Sequence, residues 1–388
     1  MDLNTLLRRA VELGASDVHL KLGQPPMLRR DGAIEPLAEC PELNDQHLLA
    51  ALEAVTRLTP ERLRTFHESG DLDIAYTADG LPRFRVNAFR QRGAISFAFR
   101  VIPREVPSFE QLSLPPGVGR LANEQRGLIL VTGATGSGKT TTLAAMIDHI
   151  NNTRRQHIVT IEDPIEVLHP DRNCIVNQRE IGLDTENFAQ ALRRVLRQDP
   201  DTILIGELRD AETANTALQA AESGHLVFST LHTIDAAETV GRMIEFFPPG
   251  KQQQIRSVLA GVLRGVISQR LLPRHGGGRV AAVEVMVTNA RIADLIREER
   301  TDEIPDAVAE GSFFEMQTFQ QALIDHVLAG RVERDVAGNA ASNMHDFFVA
   351  LDHAIKQQHA DGQQALAVAE AVAESASPSL RVVRPAGV

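Results

Sequence analysis

Gly127-Leu128-Ile129-Leu130-Val131-Thr132-Gly133-Ala134-Thr135-Gly136-Ser137-Gly138-Lys139-Thr140 decides how this chain folds. An apolar run, a loop with three glycines and a helix-like stretch, Thr141–Ile150, follow one another without a gap. In that order they make a strand, a loop and a helix that form a socket for nucleotide phosphates. The loop glycines let the backbone curl so that its N–H groups point inward, and the helix N-terminus adds partial positive charge. Lys139 is placed to reach the β- and γ-phosphates, and the Thr140 hydroxyl is suited to Mg²⁺. Gly133 to Thr140, with Thr141 opening the helix, are therefore the expected binding residues for ATP or GTP.

The 388 residues are enough for two or three domains, each closing its own core. Apolar residues at 43% and charged residues at 23% are ordinary for a globular chain. A formal net charge of −11 argues against general nucleic-acid binding, which needs cations for the phosphates. Cys40 and Cys174 form no C-x-x-C, so two free thiols in a reducing cytoplasm are expected. No apolar run reaches the length of a membrane span, and Met1-Asp2-Leu3-Asn4 does not open a signal sequence. Any membrane association is expected through a partner.

Residues 1–105 read as a small α/β domain. Leu3, Leu6, Leu7, Ala10 and Val11 share a helical face capped by Asp2, and Leu48, Leu49, Leu52 and Val55 share another. Thr59-Pro60-Glu61 opens a third helix. Asp71–Tyr76, Arg83–Phe89 and Ile95–Val101 alternate as strands; Phe84, Val86 and Ala88 face the core, leaving Arg83 and Arg85 on the polar face roughly 6.5 Å apart. Prolines and glycines between Pro103 and Gly119 mark a linker, residues 106–119. Residues 120–290 alternate strands (Leu128–Thr132, His157–Ile161, Thr202–Gly206, Leu226–Leu231, Val280–Val287) with helices, as an α/β sheet covered on its faces does. Ile255, Val258, Leu259, Val262, Leu263, Val266 and Ile267 predict one long amphipathic helix. Helices around 290–300, 316–329 and 344–358 make a C-terminal region, 291–358, and residues 359–388 are expected as a disordered tail.

A nucleotide socket becomes a hydrolase when carboxylates sit near the metal and the attacking water. Two acidic groups lie just beyond strands, where open α/β sheets place their ligands. Thr160-Ile161-Glu162-Asp163-Pro164-Ile165-Glu166 puts three carboxylates in five residues. Thr202-Ile203-Leu204-Ile205-Gly206-Glu207 delivers Glu207 at a strand end, suited to order a Mg²⁺ water shell or activate water. His225 and His232 bracket one strand about 23 Å apart, so both cannot touch one phosphate on a straight strand. His232 is on the nucleotide side, to sense the γ-phosphate or hold a catalytic glutamate; His225 suits a domain or subunit interface. Arg83, Arg85 and Arg100 either line a solvated strand face or supply positive charge to a transition state. If the first domain cannot fold back on its own site, a neighbouring subunit supplies them and the catalytic unit is an oligomer.

With these boxes in order the chain resembles the retraction motor ATPases of type IV pili, within the larger family of secretion and pilus-assembly ATPases. The resemblance covers about residues 1–355 and rests on the Walker A loop Gly133–Thr140, the aspartate box Thr160–Glu166, the Walker B box ending in Glu207, and the histidine box Gly224–Thr233. Gly14-Ala15-Ser16-Asp17-Val18-His19-Leu20 and Arg83-Phe84-Arg85-Val86-Asn87 also match. It implies an α/β fold with a RecA-like P-loop ATPase core, a smaller N-terminal PAS-like α/β domain and a helical C-terminal extension. It implies Glu166 as general base beside Glu162 and Asp163, and Glu207 with Thr140 at Mg²⁺. It makes His225 and His232 the box histidines, and Arg83, Arg85 and Arg100 the arginines brought to the site. It further implies a homohexamer in the cytoplasm, peripheral to the inner face of the cell membrane, docked on an inner-membrane platform protein. No direct nucleic-acid contact and no transmembrane segment are expected. Its output is fibre retraction, twitching motility and DNA uptake. Extension and type II secretion motors share the core but usually add a long N-terminal region and a four-cysteine zinc module, so retraction is favoured. Ala290–Glu298 resembles the main motor; Cys174–Glu180 and Met316–Leu323 look more like an accessory paralogue, a possible partner. A nucleotide-switched scaffold is the alternative from another class, disfavoured by Glu166 and Glu207.

Overall fold

Phe84, Val86 and Ala88 are completely buried, as their alternation predicts. They lie in a computed structural model that describes residues 2–375 apart from Asp31, Pro103 and Arg104. The chain packs as two units, one of Met1–Arg270 with Val283–Gln317, the other of Leu271–Ala282 with the chain from Thr318 onward.

The first unit begins with α1 (Leu3–Glu12), β1 (Asp17–Lys21), β2 (Met27–Arg30), β3 (Ala33–Pro36), α2 (Asp45–Thr56), α3 (Pro60–Ser69), β4 (Asp71–Tyr76), β5 (Phe84–Gln91) and β6 (Ala94–Val101). Asp2 accepts from the Thr5 amide at 3.2 Å and so satisfies an N–H that α1 cannot. The six strands form an antiparallel sheet in the order β3-β2-β1-β6-β5-β4. Leu7, Leu48, Leu52 and Phe66 from the helices cover one face and bury Val18 and Phe99. On β6, Arg100 stands directly opposite Arg85 of β5 and Asp17 of β1. That register gathers charge into one row.

The nucleotide-binding part follows: α4 (Pro116–Ala122), β7 (Gly127–Thr132), α5 (Lys139–Thr153), β8 (His157–Glu162), β9 (Ile175–Glu180), α6 (Phe188–Val195), β10 (Thr202–Ile205), α7 (Ala211–Glu222), β11 (Leu226–Leu231), α8 (Ala236–Glu245), α9 (Pro249–Val262), β12 (Leu263–Pro273) and β13 (Arg279–Val287). The sheet order is β13-β12-β7-β11-β10-β8-β9, with neighbours parallel from β12 through to β9. Every residue of β7, β10 and β11 is buried, which is why these strands read as continuous apolar runs rather than alternations. The linker stretch ends in α4, where Pro116 pre-sets the first turn and Val118, Leu121 and Ala122 are buried. The long helix expected through Ile267 ends at Val262 instead, and Leu263, Val266 and Ile267 belong to β12. Both faces of β12 are covered there, so its apolar residues need no alternation and mimic a helical face. β9 and β12 are strands of this sheet that the pattern of the sequence does not single out.

Next, α10 (Ala290–Arg297) lies against α9, and α11 (Ile304–Ala309) against α8, both within the first unit. The second unit holds α12 (Phe319–Leu328), α13 (Arg334–Ala340) and α14 (Met344–Ser375) with residues 271–282. Phe319, Leu323, Phe347 and Leu351 form its core with Leu272 and Val280. α14 continues beyond residue 359, where disorder is expected, to Ser375; the Ala-rich composition there favours helix over coil. The rest of the expected tail, 376–388, lies outside the described residues. Among the described residues no helix is long and apolar enough to cross a membrane.

Candidate active site

The loop between β7 and α5 is a hollow that only its sequence permits. Gly133 has φ 137°, and a Cβ there would stand 2.4 Å from the Gln269 carbonyl oxygen and 2.6 Å from Ser137 Oγ. Ser137 Oγ is buried without a hydrogen-bond partner, so the loop carries an unused donor beside its backbone N–H groups. No side chain caps α5, which leaves its first-turn N–H groups for an anion. The Lys139 ammonium donates to the Gly133 and Ala134 carbonyls at 2.7 and 3.1 Å and so lies folded over the loop. Burial lowers its pKa, against the pull of Glu207 and Glu166, whose charges both reach it. Cradle, orphaned hydroxyl and half-desolvated cation together suit a polyphosphate.

Glu207 stands just past β10. The hydroxyls of Ser229 and Thr230 on β11 donate to the carbonyls of Ile205 and Gly206 at 2.8 and 2.7 Å, and the Leu208 amide donates to the Thr230 carbonyl at 3.1 Å. The peptides around Glu207 are thus fixed by a neighbouring strand. Its carboxylate pairs with Arg209 and lies 3.5 Å from His232 Nε2. His232 thus lies beside Glu207 at the C-terminal end of β11. A cleft of about 770 Å³ opens here, bordered by Glu207, Arg209, His232, Glu238, Arg242 and Asp302.

The aspartate-box carboxylates part company. Glu162, at the end of β8, turns inward to accept from Thr160 Oγ1 at 2.6 Å and Gln178 Nε2 at 3.1 Å. Burial raises its pKa, and those two donors with the Glu166 N–H only partly offset the effect. Glu166 is exposed and lies 3.6 Å from Arg85 Nη1. Asp163, before a cis Pro164, is close enough to be felt by both Arg85 and Arg209.

The three arginines also differ. Arg85 is shared between Asp73, at 3.1 Å, and Glu166, at 3.6 Å. Arg83 is half-buried in a pair with Glu180, and Arg100 is exposed and bound to Asp17 at 2.9 Å. His225 sits at the opposite end of β11 from His232, against Ser223 Oγ and the Ala220 carbonyl, both at 3.0 Å, and is not brought to the site. Arg209, Gln178, Glu180 and Gln269 also border the candidate site, and sequence reasoning assigns them no role. Arg209 was visible, two residues from Glu207; the other three sit on β9 and β12, whose strand character was hidden.

A family model described as type II/IV secretion system protein matches residues 1–277. The type IV pilus retraction ATPase PilT of Pseudomonas aeruginosa is 44% identical over 347 residues, 89% of this chain and 100% of that one. The type IV pilus ATPase PilU of the same organism is 39% identical over 89% of this chain and 90% of its own length. A crystal structure of the pilus retraction motor PilT with bound ADP superposes with a TM-score of 0.82 at 44% identity, covering 88% of this chain and 98% of that one. With its P-loop core and helical C-terminal extension, the chain belongs to the type II/IV secretion system protein family and, within it, to the retraction ATPases of type IV pili.

Proposed function

We propose that this chain hydrolyses ATP with Mg²⁺ in a homohexameric ring on an inner-membrane platform protein, and that turnover withdraws type IV pilus subunits. The ring would work in the cytoplasm at the inner face of the membrane, alone or beside a paralogous retraction ATPase. The end-to-end kinship with the Pseudomonas retraction ATPase carries this reading, since it spans the whole of that protein.

The residues support the chemistry. Loop N–H groups and Lys139 grip the β- and γ-phosphates, and desolvation strengthens that attraction. Among the described residues no group of three or more His, Cys, Asp or Glu forms a metal cage. The Thr140 hydroxyl and Glu207 are donors suited to Mg²⁺, which keeps much of its water shell. When bound it would neutralise charge on the phosphates. Exposed Glu166 takes the proton of the attacking water, with Arg85 as its counter-ion. His232 and Arg209 keep the Glu207 carboxylate in place.

Deleting the gene and restoring it with wild-type or Lys139→Ala protein tests the direction of work. Surface pili that no longer retract, rescued only by the wild type, are expected. Loss of the pili themselves would assign the chain to extension instead, and residual twitching would make it the accessory motor.

A further inference from the structure

Two side chains of β9 carry the loop that presents Glu166. The Gln178 amide donates to Glu162 at 3.1 Å and to the Val167 carbonyl at 2.8 Å, and accepts from the His169 N–H at 2.8 Å, so it ties both ends of the loop. Glu180 holds the middle: its Oε2 accepts from the Ile165 N–H at 3.1 Å. The same oxygen takes the Arg83 guanidinium, which arrives from the N-terminal domain. Glu180 is 4% exposed, and removing such partners from a buried carboxylate is strongly destabilising. Arg85, two residues beyond Arg83, touches Glu166 itself. One N-terminal segment therefore grips the loop at two adjoining residues, Ile165 through Glu180 and Glu166 directly. A cleft of about 840 Å³ borders the pair beside Asp163 and Gly182, so Arg83 has room to withdraw.

We propose that Glu180 is a positioning residue through which the setting of the N-terminal domain fixes the peptide before Glu166. With Arg83 in place the carboxylate is neutralised, the Ile165 amide is held, and Glu166 is presented. When the domain turns and Arg83 leaves, the buried charge loses its counter-ion and the loop is released. This rests on the ATP-hydrolysing reading of Glu166. An ion pair that merely glued the domains would need no third partner; here the third partner is the backbone next to the general base.

The test uses the full chain in its native assembly. Glu180→Gln and Arg83→Ala should each lower kcat about tenfold, while KM for ATP stays within about twofold, because positioning rather than binding is lost. The double variant should be no slower than Glu180→Gln alone, as coupled residues are not additive. Reversing the pair, Arg83→Glu with Glu180→Arg, restores opposite charges but leaves no acceptor for the Ile165 N–H. Its thermal midpoint should recover relative to Arg83→Glu alone, and its kcat should not. Wild-type kcat in Glu180→Gln, multiplied losses in the double variant, or recovery of kcat on reversal would each overturn the proposal. If the reversed pair does not fold, the other three variants decide. Unimpaired turnover in Lys139→Ala would be a different failure, of the underlying ATPase reading.

Discussion

Glu162, the last residue of β8, and Glu166, on the loop after it, lie four residues apart and face opposite environments, so replacing them should have different consequences. Glu166 is exposed beside Arg85. Glu166→Gln keeps the shape and removes the base, and kcat should fall by about 10² or more while ADP affinity is retained. Phosphate release and equilibrium binding check the two halves separately; a variant that only binds more weakly would remove the base assignment. Lys139 has its charge folded over the loop, and Lys139→Ala should abolish both tight binding and turnover. Further along, His169 is largely buried, its Nδ1 has no partner, and desolvation with the Arg172 charge lowers its pKa to about 4, against an opposing pull from Asp148. Its folded pKa is below the unfolded 6.5, so the unfolded chain binds the proton first as pH falls. The contribution of His169 to stability is therefore whole above about 6.5 and is lost progressively between there and about 4. Denaturant midpoints at pH 7.5 and 5 should converge in His169→Gln; an unchanged acid sensitivity would show that other groups cause it.

Elements set which of these residues can meet. β11 bonds to the end of β10 through two hydroxyls as well as its backbone. Thr230→Val, similar in shape, removes the bond to the Gly206 carbonyl and should lower kcat severalfold while costing only about 1 kcal/mol of stability in thermal unfolding. At β12, a Cβ on Gly265 would stand 2.6 Å from Leu121 Cδ1 and from the Met286 carbonyl oxygen. Gly265→Ala should therefore cost about 1–3 kcal/mol in thermal unfolding, with no free rotamer to relieve it. The same elements show what was legible in the sequence. β7, its loop and α5 were plain because glycine spacing and the Lys-Thr pair are local chemistry. β12 was read as helix because a strand covered on both faces has no period to distinguish it. Glu207 and Glu166 stand out as candidates because each ends or follows an apolar strand. Glu180 was not, because its role depends on a bond to Arg83, 97 residues away in sequence.

At the scale of the molecule, the three arginines divide the work of the N-terminal domain. Arg83 is occupied by the buried Glu180 of its own chain and is only partly exposed itself. Arg85 is shared between Asp73 and Glu166 of its own chain. Arg100 lies directly opposite Arg85 with its side chain 71% exposed, and Asp17 engages only its Nε within hydrogen-bond distance. Arg85 has two carboxylates and Arg100 only one, so Arg100 keeps more of its charge free to attract a further anion on that face. In a ring that anion would be a neighbour's nucleotide, so we expect Arg100 to serve the adjacent subunit. Arg100→Ala and Lys139→Ala proteins should each be inactive alone. Mixed one to one with subunit exchange, they should recover about a quarter of wild-type turnover, since a shared site needs an intact loop on one side and an intact Arg100 on the other. Recovery should rise and fall with the mixing ratio and vanish when exchange is blocked by crosslinking each variant first. No recovery at any ratio would count against a site shared between subunits and overturn the assignment of Arg100 to a neighbour.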